Sequence, residues 1–300
     1  MAFSKSSLLA TALVAMSSVV SAQSNSASYD QVAQIQLTFP AADLTPVPVP
    51  ANWLDIQGVL NVTFGDVAVS NIGDKLTVAQ VQSAPSFRIS AQTPAASSNS
   101  VFGEGKLFTI AFLDAGVAGK NTSTEVFNHY LGNNFTIDAS SGELRNQTGA
   151  RVNYGAPRPD TNDGPHRYMQ LVFQQFENFT APASPAAGAS ISNLELQNYY
   201  RQANGGLGKI VAANYIQIEV GQAAAPSSTA PVSQASVTAL AASKSGAAGG
   251  KATGSTSGSA AGATNSSGGN ASAAASSLAS VSVAGIVAMG SAALLGAAML

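Results

Sequence analysis

Two histidines, His129 and His166, are the only ones in the 300-residue chain, and both stand where a side chain could do chemistry. His166 follows the turn-forming Asp163-Gly164-Pro165 and opens an alternating stretch: Met169, Leu171 and Phe173 fall on one face, His166, Tyr168 and Gln170 on the other. That period of two predicts a strand starting at His166. His129 lies in Phe127-Asn128-His129-Tyr130, after the apolar run Leu107 to Asp114. An imidazole titrates near neutral pH, so two of them facing one cavity can donate hydrogen bonds to a phosphate or carboxylate, and do so more strongly when protonated. Asp114 could orient one of the rings. Taken singly, each residue also has a plainer role: a strand-start histidine bonds its own backbone surroundings, Asp114 is a strand-end carboxylate, and Tyr215 is a core tyrosine with its hydroxyl satisfied. Arg167 points to the face opposite His166 and suits an ion pair rather than a ligand contact.

Rival chemistries lack their sequence marks. A hydrolase could draw on Asp114, His129, His166 and many serines, but no Gly-x-Ser-x-Gly elbow accompanies them. Two histidines and a carboxylate could hold a metal, yet no closely spaced His pair exists. The chain contains no cysteine, which removes disulfides, thiol catalysis and thiolate metal sites together. The expectation is a binding module, with no catalytic residue, no metal and no cofactor.

The elements that must position these residues lie in a domain over 23–222. It carries ten basic against fifteen acidic side chains, a net of −5, which offers no electrostatic footprint for nucleic acid. Strands are expected at Gln34 to Phe39, Val59 to Phe64, Phe87 to Ala91, Lys106 to Asp114, Asn134 to Ile137, Tyr168 to Phe173 and Tyr215 to Val220. The Lys106 run is nearly all apolar, as in a central strand buried on both faces. One helix is expected over Asn193 to Ala203, ended by Gly205-Gly206. Thr45-Pro46-Val47-Pro48-Val49-Pro50 should be extended. The fold class is an all-β sandwich with few short helices.

Both ends read as processing signals. Residues 1–22 combine Lys5, an apolar core and Val20-Ser21-Ala22, the layout of a secretory signal peptide. Residues 223–270 are a Ser/Ala/Gly-rich stretch without aromatics, expected to be a disordered, O-glycosylated stalk. Residues 271–300 end in the apolar Val281 to Leu300 behind small residues, the layout of a GPI-anchor signal with attachment at Asn270, Gly269 and Asn265 being rivals. Glycosylation sequons stand at Asn61, Asn121, Asn134, Asn146 and Asn178, and again at Asn265 and Asn270. The expected location is the outer face of the plasma membrane or the cell wall, through a GPI lipid.

Tyr154-Gly155-Ala156-Pro157-Arg158-Pro159, followed by Gly164-Pro165-His166-Arg167-Tyr168, resembles the second signature of the phosphatidylethanolamine-binding protein family. Leu76 to Gln82 with Pro85, the strand Leu107 to Asp114, Phe127-Asn128-His129, and Gly206-Leu207-Gly208 leading to Tyr215 agree in order, so the resemblance covers residues 30 to 221. It implies a β-sandwich with a large antiparallel sheet and a small pocket for phosphate-like groups, such as a phospholipid headgroup. Carried over, that pocket holds Asp114, His129, His166, Tyr168 and Tyr215, with Phe127 where the family has Trp, and Gly164 and Pro165 shaping the rim. The chain departs from the family at the first signature, reading Asp114-Ala115-Gly116-Val117-Ala118 in place of Asp-Pro-Asp-Ala-Pro. Relatives also imply an alternative role, inhibition of a serine carboxypeptidase-type protease through a protein surface. The combination of signals and stalk suits a secreted, GPI-anchored type on a fungal surface.

Overall fold

The computed structural model describes residues 26–93, 100–120, 124–223 and 230–249. The expected signal peptide, most of the stalk, the GPI signal with Asn270, and the sequons at Asn121 and Asn265 lie outside them. Among the described residues eleven strands join one mixed sheet. They are β1 Leu54–Phe64, β2 Val67–Ala68, β3 Lys75–Leu76, β4 Pro85–Ala91, β5 Leu107–Val117, β6 Glu125–Ile137, β7 Leu144–Asn146, β8 Ala150–Val152, β9 His166–Gln175, β10 Ser192–Glu195 and β11 Leu207–Ile218. Their main order is β10-β6-β5-β9-β11-β1-β2. The strand-rich class expected from the sequence is what the chain forms. The sheet is not wholly antiparallel, however, because β1 and β3 each run parallel to β11.

β5 is the central strand. It pairs with β6 on one side and β9 on the other, and Phe108 to Leu113 are all buried. β1 pairs with β11 over its first half and with β4 from Gly58 onward, so the sheet curls over itself. A core is thereby built on each face. One gathers Phe64, Phe87, Phe108, Phe112, Tyr168 and Val172. The other gathers Trp53, Leu113, Met169, Leu171, Phe173 and Tyr215 beneath the helices.

Among the described residues three α-helices complete the fold: α1 Tyr29–Ala41, α2 Leu196–Gln202 and α3 Gln234–Gly249. α1 replaces the strand expected at Gln34 to Phe39. Ser28 and Gln31 form a reciprocal capping box at its start, and Val32, Ile35 and Phe39 supply an apolar stripe of helical spacing. The helix expected at Asn193 divides: Ser192 to Glu195 pair with β6 as an edge strand, and only the following turns are helical. Thr45 to Pro50 forms turns rather than an extended run, closed by the Val49 N–H donating to the Leu44 carbonyl at 3.2 Å, with both side chains fully buried. In the region read as stalk, residues 234–249 are helical, with Val237 and Ala241 buried against α1. Alanine-rich sequence has good helix propensity, and a few apolar side chains suffice to dock it on an existing surface.

Candidate functional site

Strand register assembles the site. Asp114 on β5 is flanked by Phe127 on β6 and Tyr168 on β9, so three strands present these residues in one row. His129 lies two residues along β6 from Phe127, and His166 two residues along β9 from Tyr168. A spacing of two keeps each on the face of its neighbour. These five residues line one cavity of about 590 Å³, with Gly155, Arg158, Pro159, Asp160 and Ile191 at its margin. Aromatic contacts tie the row together: His129 meets Tyr168 edge-on at 5.3 Å and Phe127 at 5.3 Å, while His166 stacks on Tyr168 at 6.2 Å.

The two histidines have different electrical roles. His166 Nδ1 is 2.8 Å from Asp114 Oδ2 and its Nε2 is 3.0 Å from Asp163 Oδ2. Burial acts to lower its pKa, but the Asp114 hydrogen bond and charge, with Asp163 in support, outweigh this and leave it raised. Asp163 in turn pairs with Lys120 at 2.7 Å, and Lys120 together with His166 holds its carboxyl below the usual range. His129 is 4% exposed, and desolvation lowers its pKa despite a 2.7 Å bond between Nδ1 and the Gly155 carbonyl. A carbonyl only accepts, so Nδ1 carries the proton and Nε2 is the lone-pair nitrogen of the neutral ring. The expectation that both imidazoles donate to a ligand is therefore corrected for His166, whose two nitrogens are committed to carboxylates. Tyr168 is buried and hydrogen-bonded to Asp114, and burial first, then the Asp114 charge, raises its hydroxyl far above the ordinary value.

Three of the other expected site residues sit elsewhere. Tyr215 pairs across β9 with Met169 and so shares Met169's face, the one covered by α1; it meets Phe39 at 6.5 Å and lies against Gly73. The register with β9 decides this, because cross-strand partners project to the same side. Gly164 and Pro165 are buried behind His166, outside the cavity lining. Gly164 has φ +116° and packs toward Val117, a backbone conformation and a close approach that suit glycine. The margin comes instead from Gly155, Ala156, Arg158 and Pro159 of the quoted signature, and from Asp160 and Ile191, which no sequence pattern marked.

The loop that lacks the family's prolines is fastened by other means. Gly116 adopts φ +68°, and its N–H donates to Asp114 Oδ1 at 2.7 Å. Arg167, 1% exposed, donates to the carbonyls of Ala115 at 2.8 Å, Gly116 at 3.0 Å, Ala42 at 2.7 Å and Asp43 at 2.6 Å. Arg167 does face away from His166. Its partners are these carbonyls, with the Asp43 carboxylate more distant at 3.7 Å.

A strand-rich curled sheet carries this histidine-bearing cavity between β5, β6 and β9. The family model described as phosphatidylethanolamine-binding protein matches residues 61–216, more than half of the chain, and the chain belongs to that family. Among solved structures it is similar to a carboxypeptidase Y inhibitor complexed with its cognate proteinase, at 17% identity over 64% of this chain and 95% of that chain, TM-score 0.46. It is also similar to phosphatidylethanolamine-binding proteins from Plasmodium falciparum, at 18% identity over 61% and 96%, TM-score 0.43, and from Plasmodium vivax, at 15% over 65% and 99%, TM-score 0.40. No curated protein matches the chain.

Proposed function

We propose that this domain is a binding module, not an enzyme, whose cavity between β5, β6 and β9 takes a phosphate-bearing group such as a phospholipid headgroup. The observation that supports this reading is the gathering of both histidines of the chain, with Asp114, Phe127 and Tyr168, at one cavity beside the exposed Arg158. Arg158 supplies permanent positive charge at the mouth. His166 offers no spare N–H, and its charge is balanced by Asp114 and Asp163. His129 Nε2 becomes a donor only on protonation, so an anion seated there takes up a proton with it, and affinity rises toward acid pH. Dimethyl phosphate, an anion that does not titrate in this range, is the direct probe in a calorimetric titration. Its affinity should rise toward acid pH, and His129→Ala should remove that rise while costing about tenfold, the worth of one charge-assisted hydrogen bond. Binding absent at every pH, or pH-independent and equal in the variant, overturns the assignment. Vesicles with and without phosphatidylethanolamine then separate a lipid headgroup from phosphate alone, and inhibition of a serine carboxypeptidase with this cavity left empty would replace the reading by the alternative one.

The same proposal places the domain outside the cell on a GPI lipid, as on a fungal surface. What supports it is the signal-like 1–22, the small residues about Asn270 and the apolar Val281 to Leu300.

A further inference from the structure

Three large apolar side chains stand exposed among the described residues: Phe127, Ile191 and Phe176. The first two border the histidine cavity. Phe176, 42% exposed, lies elsewhere, just past the end of β9, and opens the run Phe176-Glu177-Asn178-Phe179-Thr180 that carries the sequon at Asn178. The chain turns there. The Phe179 N–H donates to the Phe176 carbonyl at 3.0 Å, and neither Glu177 nor Asn178 has a positive φ, so the segment is a type I β-turn with Phe176 first and Asn178 third. It is pinned at both ends. The Phe176 N–H donates to the Gly206 carbonyl at 2.9 Å, and Phe179 packs against the core beneath the helices. The Phe176 ring reaches over Gly208, where a Cβ would stand 2.9 Å from it.

Phe176 and Asn178 line one cavity of about 460 Å³, with Lys106, Gln174 and Glu177 among its other walls. Those three side chains make no hydrogen bond among the described residues, so an ammonium, an amide and a carboxylate are open to hydroxyl groups. The Asn178 side chain makes none either, unlike those of Asn61 and Asn146. An aromatic floor with polar walls suits a pyranose, which presents C–H groups on its faces and hydroxyls at its edge. Those C–H hydrogens are partly positive, and the face of an aromatic ring is negative.

We propose that this cavity seats the first N-acetylglucosamine of a glycan on Asn178, the C–H face of the sugar against the Phe176 ring and its hydroxyls toward Lys106, Gln174 and Glu177. The inference rests on the export proposed above, which brings the chain to the glycosylating machinery. The covalent link supplies the sugar at high effective concentration, so a weak contact is enough to hold it. The test uses the full chain secreted from a eukaryotic host, its glycans trimmed to the first sugar by an endoglycosidase. The sugar signals of Asn178 are assigned in NMR spectra by their loss in Thr180→Ala, which removes the sequon and keeps the asparagine. Ring current should move the C–H signals of that sugar upfield in the parent, and in Phe176→Leu they should return to the positions of the free sugar. Thr180→Ala should also lower the thermal midpoint by roughly 2–4 °C, the worth of one aromatic contact in a domain of this size, and should leave it unchanged when residue 176 is already Leu. Sugar signals that are the same in the parent and Phe176→Leu, or an equal loss of midpoint in both backgrounds, overturn the proposal. So does a secreted chain with glycan elsewhere and a bare Asn178. A chain kept inside the cell with no glycan at any sequon overturns the export reading, and this one with it.

Discussion

His166 and His129 carry one imidazole each into the same cavity, and their partners set them apart. With only two histidines in the chain, their ring-proton signals can be followed one by one in a pH titration. His166 should titrate above about 6.5 and His129 below it. Asp114→Asn, which removes the charge beside His166 Nδ1, should bring the His166 midpoint down. The shifts have opposite linkage. His166 is raised, so its stabilising effect is full below the unfolded value and fades as pH climbs through the folded one. His129 is lowered, so as pH falls below about 6.5 the unfolded chain takes up a proton that the folded one resists, and stability is lost. The histidine contribution should therefore peak near pH 6.5, and His166→Gln should abolish the decline on the alkaline side, measured as thermal midpoint against pH. A variant retaining that decline would contradict the assignment. Both histidines were legible as candidates because they are scarce; their charge states were not, since Asp163 and the Gly155 carbonyl meet them only through folding.

At the scale of elements, the C-terminal end of β5 and the residues just after α1 are joined by Arg167, the one buried Lys or Arg among the described residues. Four carbonyls from two segments distant in sequence accept from one guanidinium. Replacing it with Met leaves those oxygens without their charged donor, which should cost about 3 kcal/mol or more in denaturant unfolding, while Arg167→Lys should recover only part because an ammonium cannot span the same fork. Hydrogen exchange at Gly116 should quicken in both. An Arg167→Met protein as stable as its parent would show the carbonyls to be satisfied otherwise. The alternation of β9 placed Arg167 on the correct face from sequence. α1 was misread because Ile35, Leu37 and Phe39 also alternate, although Ser28 and Gln31 stand at capping-box spacing and marked a helix start.

For the whole molecule, the proposed export and modification have testable consequences. Glycosylation attaches sugar to the side-chain nitrogen of asparagine and uses one of its N–H bonds. Asn146 Nδ2 donates to both the Tyr130 hydroxyl at 3.3 Å and the Gly149 carbonyl at 3.1 Å, and Asn61 Nδ2 is held between strands β1 and β4. Asn178 is exposed on a turn after β9. Peptide mapping of the secreted protein should find glycan on Asn178 and none on Asn61 or Asn146. A glycan on Asn146 would contradict the packing, and a protein without any glycan that never leaves the cell would contradict export itself. Phospholipase treatment should release an anchored protein whose 281–300 segment has been removed.

Composition, periodicity and the signature residues by themselves determined the strand-rich class, the central position of β5, the family and most of one wall of the site, because those features depend on neighbours two residues apart. The tertiary structure alone decided which face Tyr215 takes, that His166 is clamped between two carboxylates, and that α3 folds back on α1. Apart from Asp163, which meets His166 across the local turn, each of these rests on strand register or on contact between segments far apart in the chain, such as Met169 with Tyr215 or Ala33 with Val237. A one-residue change of register would reverse the face and leave the sequence pattern untouched.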